Sequence, residues 1–212
     1  MRLLGILIDK ILRQANRRVL EFSAAEEEPA LPPPDSRQQY LLYLHIPYCR
    51  VLCPFCSFHR VRFNRDRTGQ YFESLRREIR FVTEAGYVFD ELYVGGGTPT
   101  VIPGELARTI QTVRKLHPVQ AVSVETNPDD LEKGGIRRLG DVGVNRVSVG
   151  VQSFDDVLLG EMQRLEPYGS GAVIARRLKK AQGRFDTLNV DMIFNFPHQT
   201  EESLDRDLDI LI

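Results

Sequence analysis

Hydrophobic and polar positions alternate from Tyr40 onward between short apolar runs rich in β-branched residues and longer amphipathic stretches. Five apolar runs are predicted to be strands: "YLLYLHIP", "FDELYVGGG", "AVSVETNP", "NRVSVGVQSF" and "TLNVDMIFNFP". Helical spacing predicts helices near 67–85, 103–116, 129–139, 155–164 and 171–182, and a last helix from Thr200. Strands that alternate with helices predict a parallel sheet with right-handed crossovers.

Polar or glycine-rich motifs close every predicted strand: "HIPYC", "GGGTPT", "ETNP", "VQSF" and "DMIFNFP". An open sheet concentrates its ligand contacts at one switch point, whereas a barrel collects them from the carboxyl ends of all its strands. A polar motif at each strand end therefore favours a barrel. Because a complete eight-unit barrel takes about 250 residues, we expect an α/β fold with a partial parallel (β/α) barrel, truncated after its fifth strand.

The fifth run is strongly apolar, which is typical of a strand that is covered on both faces. Without a sixth strand beside it, we expect this run to form an exposed hydrophobic edge. The sequence also ends on "LDILI" inside a predicted helix, with no capping or turn signal. Both features indicate a fragment of a longer chain that is not self-sufficient.

The first 39 residues differ from this pattern. Apolar residues at helical spacing predict an amphipathic helix over residues 1–22. We interpret it as a helix that packs on the body of the protein; contact with a membrane surface is the alternative. The prolines and acidic run of residues 23–39 predict a linker, which leaves residues 40–212 as the main domain.

The composition narrows the range of functions. The chain has 212 residues, of which 42% are hydrophobic and 27% charged, as in ordinary globular proteins. Its formal net charge of −1 offers no general attraction for nucleic acid or membranes. We therefore expect no nucleic-acid partner.

All three cysteines lie within eight positions, at Cys49, Cys53 and Cys56. They cannot all pair with one another, and their close spacing is poor disulfide geometry. A reducing, cytoplasmic setting suits such a cluster, and three thiolates on one loop predict a metal site. Zinc would need a fourth ligand, for which His45 and His59 are candidates. The alternative is an iron–sulfur cluster with one iron left open to a substrate or cofactor.

The segment "CRVLCPFC" after a first strand resembles the motif of radical S-adenosylmethionine (SAM) enzymes. The motifs "YLHIPYC", "YVGGGTPT", "ETNP", "GVNRVSVGVQSF" and "VDMIFNFPHQT" resemble the branch of oxygen-independent coproporphyrinogen III oxidase and its haem-chaperone relatives. The resemblance implies a 4Fe–4S cluster on the three cysteines, with SAM on the fourth iron. It also implies an external one-electron donor and reductive cleavage of SAM to a 5′-deoxyadenosyl radical.

The same resemblance implies the residues that contact SAM. Gly96 and Gly97 would let the backbone approach the methionine amino group, and Arg164 would pair with its carboxylate. Asp191 would accept hydrogen bonds from the ribose. The remaining positions would supply polar groups or line the cofactor: Tyr43, Phe55, Thr98, Glu125 and Gln152.

The substrate is less closely defined than the cofactors. Coproporphyrinogen oxidase proper has a further cysteine where this chain has Ser57–Phe58, and Glu166, Asn195 and His198 also depart from the common pattern. An enzyme acting on a tetrapyrrole, a haem chaperone and a radical SAM methyltransferase all fit these motifs. Arginines around the cysteine loop could receive tetrapyrrole carboxylates or form a solvated surface. They are Arg50, Arg60, Arg62, Arg65 and Arg67.

Overall fold

The computed structural model describes residues 14–15, 31–132 and 134–211. Gln14 and Ala15 are helical, but most of the predicted amphipathic helix and the first part of the predicted linker lie outside the described residues. Residues 31–39 form coil with one turn. No helix within the described ranges is long and apolar enough to cross a membrane.

Seven strands occur in the described chain. They are β1 (Tyr40–Ile46), β2 (Tyr48–Cys49), β3 (Val61–Arg62), β4 (Phe89–Gly96), β5 (Ala121–Thr126), β6 (Arg146–Gln152) and β7 (Thr187–Met192). The long strands form one parallel sheet in the order β1-β4-β5-β6-β7, and β2 pairs with β3 separately. The predicted parallel α/β architecture is confirmed, with five strands of a barrel-type sheet.

Helices connect the strands. They are α1 (Arg65–Glu84), α2 (Pro103–Leu116), α3 (Gly135–Asp141), α4 (Asp156–Glu161), α5 (Leu165–Tyr168), α6 (Gly171–Ala181) and α7 (Glu201–Leu211), with 3₁₀ turns at Pro99–Val101 and Pro128–Leu131. The predicted helix at 129–139 is divided, because Gly134, with φ of 70°, separates the second 3₁₀ turn from α3. The predicted helix at 155–164 ends early, at Glu161, and Gln163, with φ of 56°, separates it from α5. A left-handed residue cannot continue a right-handed helix, so the chain turns at both places.

The core lies between one face of the sheet and the helices. Alternate residues of the central strands are buried, as in β5 and β6, where Val122, Val124, Val147 and Val149 are at most 1% exposed. Helices α1 and α2 cover this face with residues spaced three or four apart, including Phe72, Ile79, Leu106, Ile110 and Val113. Burial of each such side chain contributes about 1.5–3 kcal/mol, so this face holds the helices in place.

The opposite face of the sheet carries polar residues, and β7 shows this most clearly. Leu188, Val190 and Met192 are half-buried against the core, whereas Asn189 and Asp191 on the other face are exposed. The prediction of a strand covered on both faces is therefore wrong. The strand is shorter than the apolar run, and its own alternation places polar side chains on the inner face.

Candidate functional site at the carboxyl edge of the sheet

The cysteine loop is closed at its base by the short β2–β3 ladder. The Val61 amide donates to the Pro47 carbonyl at 2.7 Å, and the Phe63 amide donates to the Cys49 carbonyl at 2.9 Å. These bonds bring the two ends of the loop together immediately after β1. The loop therefore projects from the carboxyl edge of the sheet, as its position after the first strand predicts.

All three thiols are free, with Cys49 and Cys53 buried and Cys56 half-buried. Arg60 donates to the carbonyl oxygens of Cys53 and Cys56 at 2.5 and 2.9 Å, so this arginine clamps the loop. Burial raises the pKa of the Cys49 thiol above its ordinary value, and a hydrogen bond from Thr98 opposes that rise. A ligand that favours thiolate is needed to ionise this sulfur fully.

The predicted basic rim is divided by the structure. Arg50 donates to the Val101 carbonyl at 2.7 Å, and its guanidinium lies 5.3 Å from the centre of the Phe63 ring. Arg50 and Arg60 therefore stabilise the loop through its backbone and side chains. The other three arginines of the predicted rim are exposed: Arg62, Arg65 and Arg67.

A cavity of about 480 Å³ opens at the carboxyl ends of β4, β5, β6 and β7 beside the cysteine loop. It brings together eleven of the twelve residues that the sequence predicts for the metal and cofactor sites. They are Cys49, Cys53, Phe55, Cys56, Gly96, Gly97, Thr98, Glu125, Gln152, Arg164 and Asp191. Residues that are far apart in the sequence therefore line one continuous cavity.

Tyr43, the twelfth predicted residue, lies on β1 away from the cavity lining. Its hydroxyl shares a hydrogen bond of 3.0 Å with His45 Nδ1, and its ring stacks on Tyr93 with centroids 5.9 Å apart. Tyr43 is half exposed on the inner face of the sheet. Its predicted contact with a cofactor stays a prediction.

The two glycines at the end of β4 are required by close packing. A Cβ atom added at Gly96, where φ is 117°, would lie 2.8 Å from the His45 ring. A Cβ atom added at Gly97 would lie 2.8 Å from Cys49 Sγ. Such approaches are shorter than side chains tolerate, so glycine at these positions lets β4 reach the cysteine loop.

Glu125, at the end of β5, fixes the end of β4. Its carboxylate accepts hydrogen bonds from the Gly96 amide at 3.0 Å and from the Tyr93 hydroxyl at 2.7 Å. Burial and this carboxylate raise the pKa of Tyr93 above its ordinary value, so the tyrosine remains a donor. Glu125 therefore orients the glycine backbone as well as lining the cavity.

Arg164 is 4% exposed, despite its charge. It donates to the Gly150 carbonyl at 2.5 Å, to Asn127 Oδ1 at 3.0 Å and to Cys53 Sγ at 3.5 Å. Its guanidinium also lies 4.2 Å from the centre of the Tyr168 ring. Among the described residues, Arg164 Nε has no hydrogen-bond partner. The guanidinium therefore lies beside a thiol of the cysteine loop and keeps one buried donor without a partner.

Two neighbours of Arg164 lacked a predicted role. Asn127 belongs to the strand-end motif "ETNP", and Tyr168 follows Arg164 by four residues, one helical turn. Burial raises the pKa of Tyr168, and the nearby Arg164 partly opposes this. The available signals were the position of Asn127 at a strand end and the helical spacing of Tyr168.

Gln152 and Asp191 line the cavity at the ends of β6 and β7. Gln152 adopts a φ of 79°, unusual for a residue with a side chain, and such strain concentrates at functional sites. The Asp191 carboxylate accepts hydrogen bonds from Ser148 Oγ at 2.9 and 2.8 Å and from Asn189 Nδ2 at 2.8 Å. Both residues stand at the edge of β6 and β7 where the sequence predicts them.

A buried carboxylate on α7 supports this part of the cavity. Asp207, 1% exposed, accepts hydrogen bonds from Ser153 Oγ at 2.7 Å and from the Phe154 amide at 2.8 Å. Ser153 directly follows the strained Gln152. Asp207 therefore anchors α7 to the segment that holds Gln152, a role that the sequence does not indicate.

The arrangement discriminates between the two metal sites that the cysteine spacing allows. Within the described ranges, no group of three His, Cys, Asp or Glu side chains is placed to hold one metal ion, as zinc requires. In an iron–sulfur cluster the thiolates bind different irons, so the thiols need only line a common cavity. The three cysteines meet that condition, since all of them line the cavity.

Comparisons with known proteins agree with this geometry. The 34% identical heme chaperone HemW of Lactococcus lactis aligns over 172 residues, 79% of this chain and 44% of that protein. The 33% identical oxygen-independent coproporphyrinogen III oxidase of Bradyrhizobium diazoefficiens aligns over 170 residues, 76% of this chain and 37% of that protein. The chain spans less than half the length of these curated relatives.

Solved structures give the same result. Coproporphyrinogen III oxidase (HemN) from Escherichia coli, described as a radical SAM enzyme, superposes with a TM-score of 0.72 at 29% identity. The superposition covers 82% of this chain and 42% of that chain. The family model of the radical SAM superfamily matches residues 43–211, nearly all of the described domain. The chain therefore belongs to the radical SAM superfamily.

Proposed function

We propose that the cavity at the carboxyl edge holds a 4Fe–4S cluster on Cys49, Cys53 and Cys56, with SAM beside it. These are the cofactors of the superfamily. The observation that carries this proposal is the convergence of three free thiols, two tight glycines and a buried arginine on one cavity. When bound, the cluster would supply the electron for reductive cleavage of SAM, which yields a 5′-deoxyadenosyl radical.

The residues of the cavity bind and orient SAM. Gly96 and Gly97 expose their backbone where a side chain would block approach. Arg164, which lines the cavity, pairs with the methionine carboxylate. Asp191 accepts from the ribose hydroxyls, and Glu125 and Gln152 hold the ends of β4 and β6 around the ligand.

We assign the substrate to the tetrapyrroles. The relatives named above include an oxidase of coproporphyrinogen and a haem chaperone, both concerned with this class of molecule. The mouth of the cavity also offers aromatic contacts for a flat macrocycle: Phe58 is 73% exposed, and Phe55 contacts Phe196 at 6.3 Å between ring centres. The exposed Arg62 is a candidate partner for a propionate group.

A haem chaperone is the second candidate. Its support is the heme chaperone HemW, which is 34% identical over 172 residues. The chain also has Ser57–Phe58 where the resemblance to coproporphyrinogen oxidase proper calls for another cysteine. Reductive cleavage of SAM needs an external one-electron donor, and either activity needs a reducing compartment, such as the cytoplasm, to keep the thiols free.

The first experiment tests the cofactors. The chain is reconstituted anaerobically with iron and sulfide, then incubated with SAM and a chemical reductant. We expect about four irons per chain and release of 5′-deoxyadenosine. Binding of stoichiometric zinc without visible iron–sulfur absorbance would contradict the proposal.

The second experiment distinguishes the two activities in a single preparation of the protein. Anaerobic turnover of coproporphyrinogen III, followed by chromatography of the porphyrins, is compared with binding of haem by the same preparation. Turnover with weak haem binding supports the oxidase. Tight haem binding without turnover supports the chaperone.

A further inference from the structure

A continuous chain of hydrogen bonds joins two of the three cysteines. Thr98 Oγ1 donates to Cys49 Sγ at 3.6 Å and accepts from Asn127 Nδ2 at 3.1 Å. Asn127 Oδ1 accepts from Arg164 at 3.0 Å, and a second nitrogen of Arg164 donates to Cys53 Sγ at 3.5 Å. We call this set, from Cys49 through Thr98, Asn127 and Arg164 to Cys53, the sulfur belt.

The direction of every bond in the sulfur belt follows from the chemistry of Arg164. A guanidinium only donates, so the amide of Asn127 must turn its oxygen toward Arg164. The Asn127 nitrogen then faces Thr98 and donates to its hydroxyl oxygen. Because that oxygen accepts one bond, its own proton is free to point at Cys49. The orientation of one amide thus determines that Cys49 receives a hydrogen bond, while the guanidinium donates to Cys53 directly.

The belt lies in surroundings where hydrogen bonds have large effects. Thr98 is 6% exposed and Arg164 is 4% exposed, while Asn127 is half-buried at the end of β5. Water competes poorly with such bonds, and an electrostatic interaction is stronger in a low-dielectric interior. The two donors are also held in place, because Thr98 lies against the cysteine loop and Arg164 directly precedes α5.

We infer that Asn127 is a positioning residue that sets the reduction potential of the bound cluster, acting through Thr98 and Arg164. This inference rests on the proposed function, in which Cys49 and Cys53 are cluster ligands. Hydrogen bonds to cluster sulfurs stabilise the more negative, reduced state and so raise the potential. Outer residues that orient ligands have comparable influence in other metal sites.

Three substitutions separate the hydrogen bonds from charge and shape. Asn127→Leu has similar size and removes both amide contacts. Thr98→Val removes the donor to Cys49 and the acceptor of Asn127 Nδ2, and it keeps the contact between Asn127 and Arg164. Asn127→Asp still accepts from Arg164 but also accepts from Thr98, so the hydroxyl reverses and Cys49 loses its donor while a negative charge is added.

The control is Asn145→Leu, at the amino end of the neighbouring strand. The Asn145 side chain accepts from the Val122 amide at 2.8 Å and donates to the Gln120 carbonyl at 3.2 Å. Its replacement removes two comparable hydrogen bonds of β5 on the side away from the cysteines. A general loss of stability is therefore matched in the control.

The measurement is the midpoint potential of the reconstituted cluster, followed by electron paramagnetic resonance during a redox titration. We expect more negative midpoints in Asn127→Leu and Thr98→Val, a still more negative midpoint in Asn127→Asp, and the wild-type value in Asn145→Leu. If one Asn127 variant fails to load iron, Thr98→Val carries the test alone.

Two outcomes would overturn the inference. One is a wild-type midpoint in Asn127→Leu, or in Thr98→Val if Asn127→Leu loads no iron, even if the charged Asn127→Asp shifts. The other is an equal shift in Asn145→Leu, which would make the effect a consequence of lost stability. Failure of the wild-type chain to assemble any cluster would instead reject the proposed function, so the two failures are distinguishable.

Discussion

The two ends of the parallel sheet are built from different side chains. At the amino end, aromatic rings contact one another in a row, with centroid separations of 5.2 Å for Tyr40 and Tyr87, 6.2 Å for Tyr87 and Phe89, and 4.8 Å for Phe89 and His117. At the carboxyl end, the corresponding positions hold thiols, glycines and buried polar groups such as Arg164. We call these regions the aromatic row and the cofactor edge.

The difference shows how one sheet separates stability from function. Apolar and aromatic contacts at the aromatic row stabilise the fold by burial. Buried polar groups at the cofactor edge stabilise it only where hydrogen bonds compensate for lost water, so their presence indicates another purpose. This division is general in parallel barrels, whose active sites lie at the carboxyl ends of the strands. Substitutions at the two ends should therefore have separable effects.

The largest expected effect is at the cysteine loop. Cys53→Ala should abolish cluster assembly, because three thiolates are the minimum set for this type of site. Iron and sulfide analysis after anaerobic reconstitution provides the measurement. Leu52→Ala, in the same loop and 38% exposed in the wild type, is the control and should load iron normally. Equal iron in both variants would contradict the assignment of Cys53.

Arg164→Ala should have the next largest effect at the cofactor edge. Loss of a hydrogen-bonded charge should weaken SAM binding by about 1.5–3 kcal/mol. It also leaves Asn127 Oδ1 and the Gly150 carbonyl without a donor that they use in the wild type. Isothermal titration of the reconstituted protein with SAM measures the change. Arg62→Ala, at an exposed arginine outside the cavity lining, should retain wild-type affinity, and an equal loss there would remove the specific role of Arg164.

Asp207→Ala tests the anchor behind the cofactor edge. Without the carboxylate, the Ser153 hydroxyl and the Phe154 amide lose a buried partner. Each unsatisfied buried group costs roughly 1–3 kcal/mol. The free energy of unfolding should therefore fall by at least the cost of one such group. Denaturant unfolding gives the value. The exposed Asp209 lies two residues further along α7, and Asp209→Ala should unfold like the wild type; similar losses in both variants would refute the anchor.

The smallest expected effect lies at the aromatic row and depends on pH. Burial lowers the pKa of His117, which is 4% exposed and hydrogen-bonded through Nε2 to Thr83 at 2.9 Å. Since the unfolded chain takes up this proton near pH 6.5, the His117 contribution to stability is present above that pH and is lost as the pH falls through the lower folded value.

Thermal unfolding between about pH 5 and pH 8 tests this linkage. His117→Gln should reduce the acid-side loss of melting temperature and leave iron loading unchanged. His59→Gln, at an exposed histidine, controls for the removal of one imidazole. Its melting temperature should depend on pH as the wild type does. Loss of the cluster in His117→Gln would contradict the claim that the aromatic row affects stability and the cofactor edge affects function.

Much of the architecture could be predicted because it depends on local periodicity. Apolar runs separated by amphipathic segments specify a parallel sheet, and the cysteine spacing marks the functional edge. The interruption at Gln163 was not predictable in the same way, because glutamine is an ordinary helix former and its type does not indicate a positive φ. The length of the fifth strand was also overestimated, because part of its apolar run lies beyond β7. Phe194, in that part, is 77% exposed.

The sequence motifs identify residues that the fold brings to one cavity, and they do not identify residues whose contacts arise only in the folded chain. Asn127 acquires its contacts only when β5 meets Thr98 and Arg164. Asp207 lies in a helix with several other acidic residues, and the sequence pattern does not distinguish it from the exposed Asp205 and Asp209. Burial alone separates it from them, and burial is a property of the folded chain.

The central claim is that the three thiols of the cofactor edge hold a cluster in contact with SAM. The most direct measurement is electron paramagnetic resonance of the reconstituted and reduced wild-type chain, recorded before and after addition of SAM. We predict a signal typical of a reduced 4Fe–4S cluster, with g-values that change when SAM binds. A protein that holds no such cluster, or a cluster whose spectrum SAM leaves unchanged, would contradict the account.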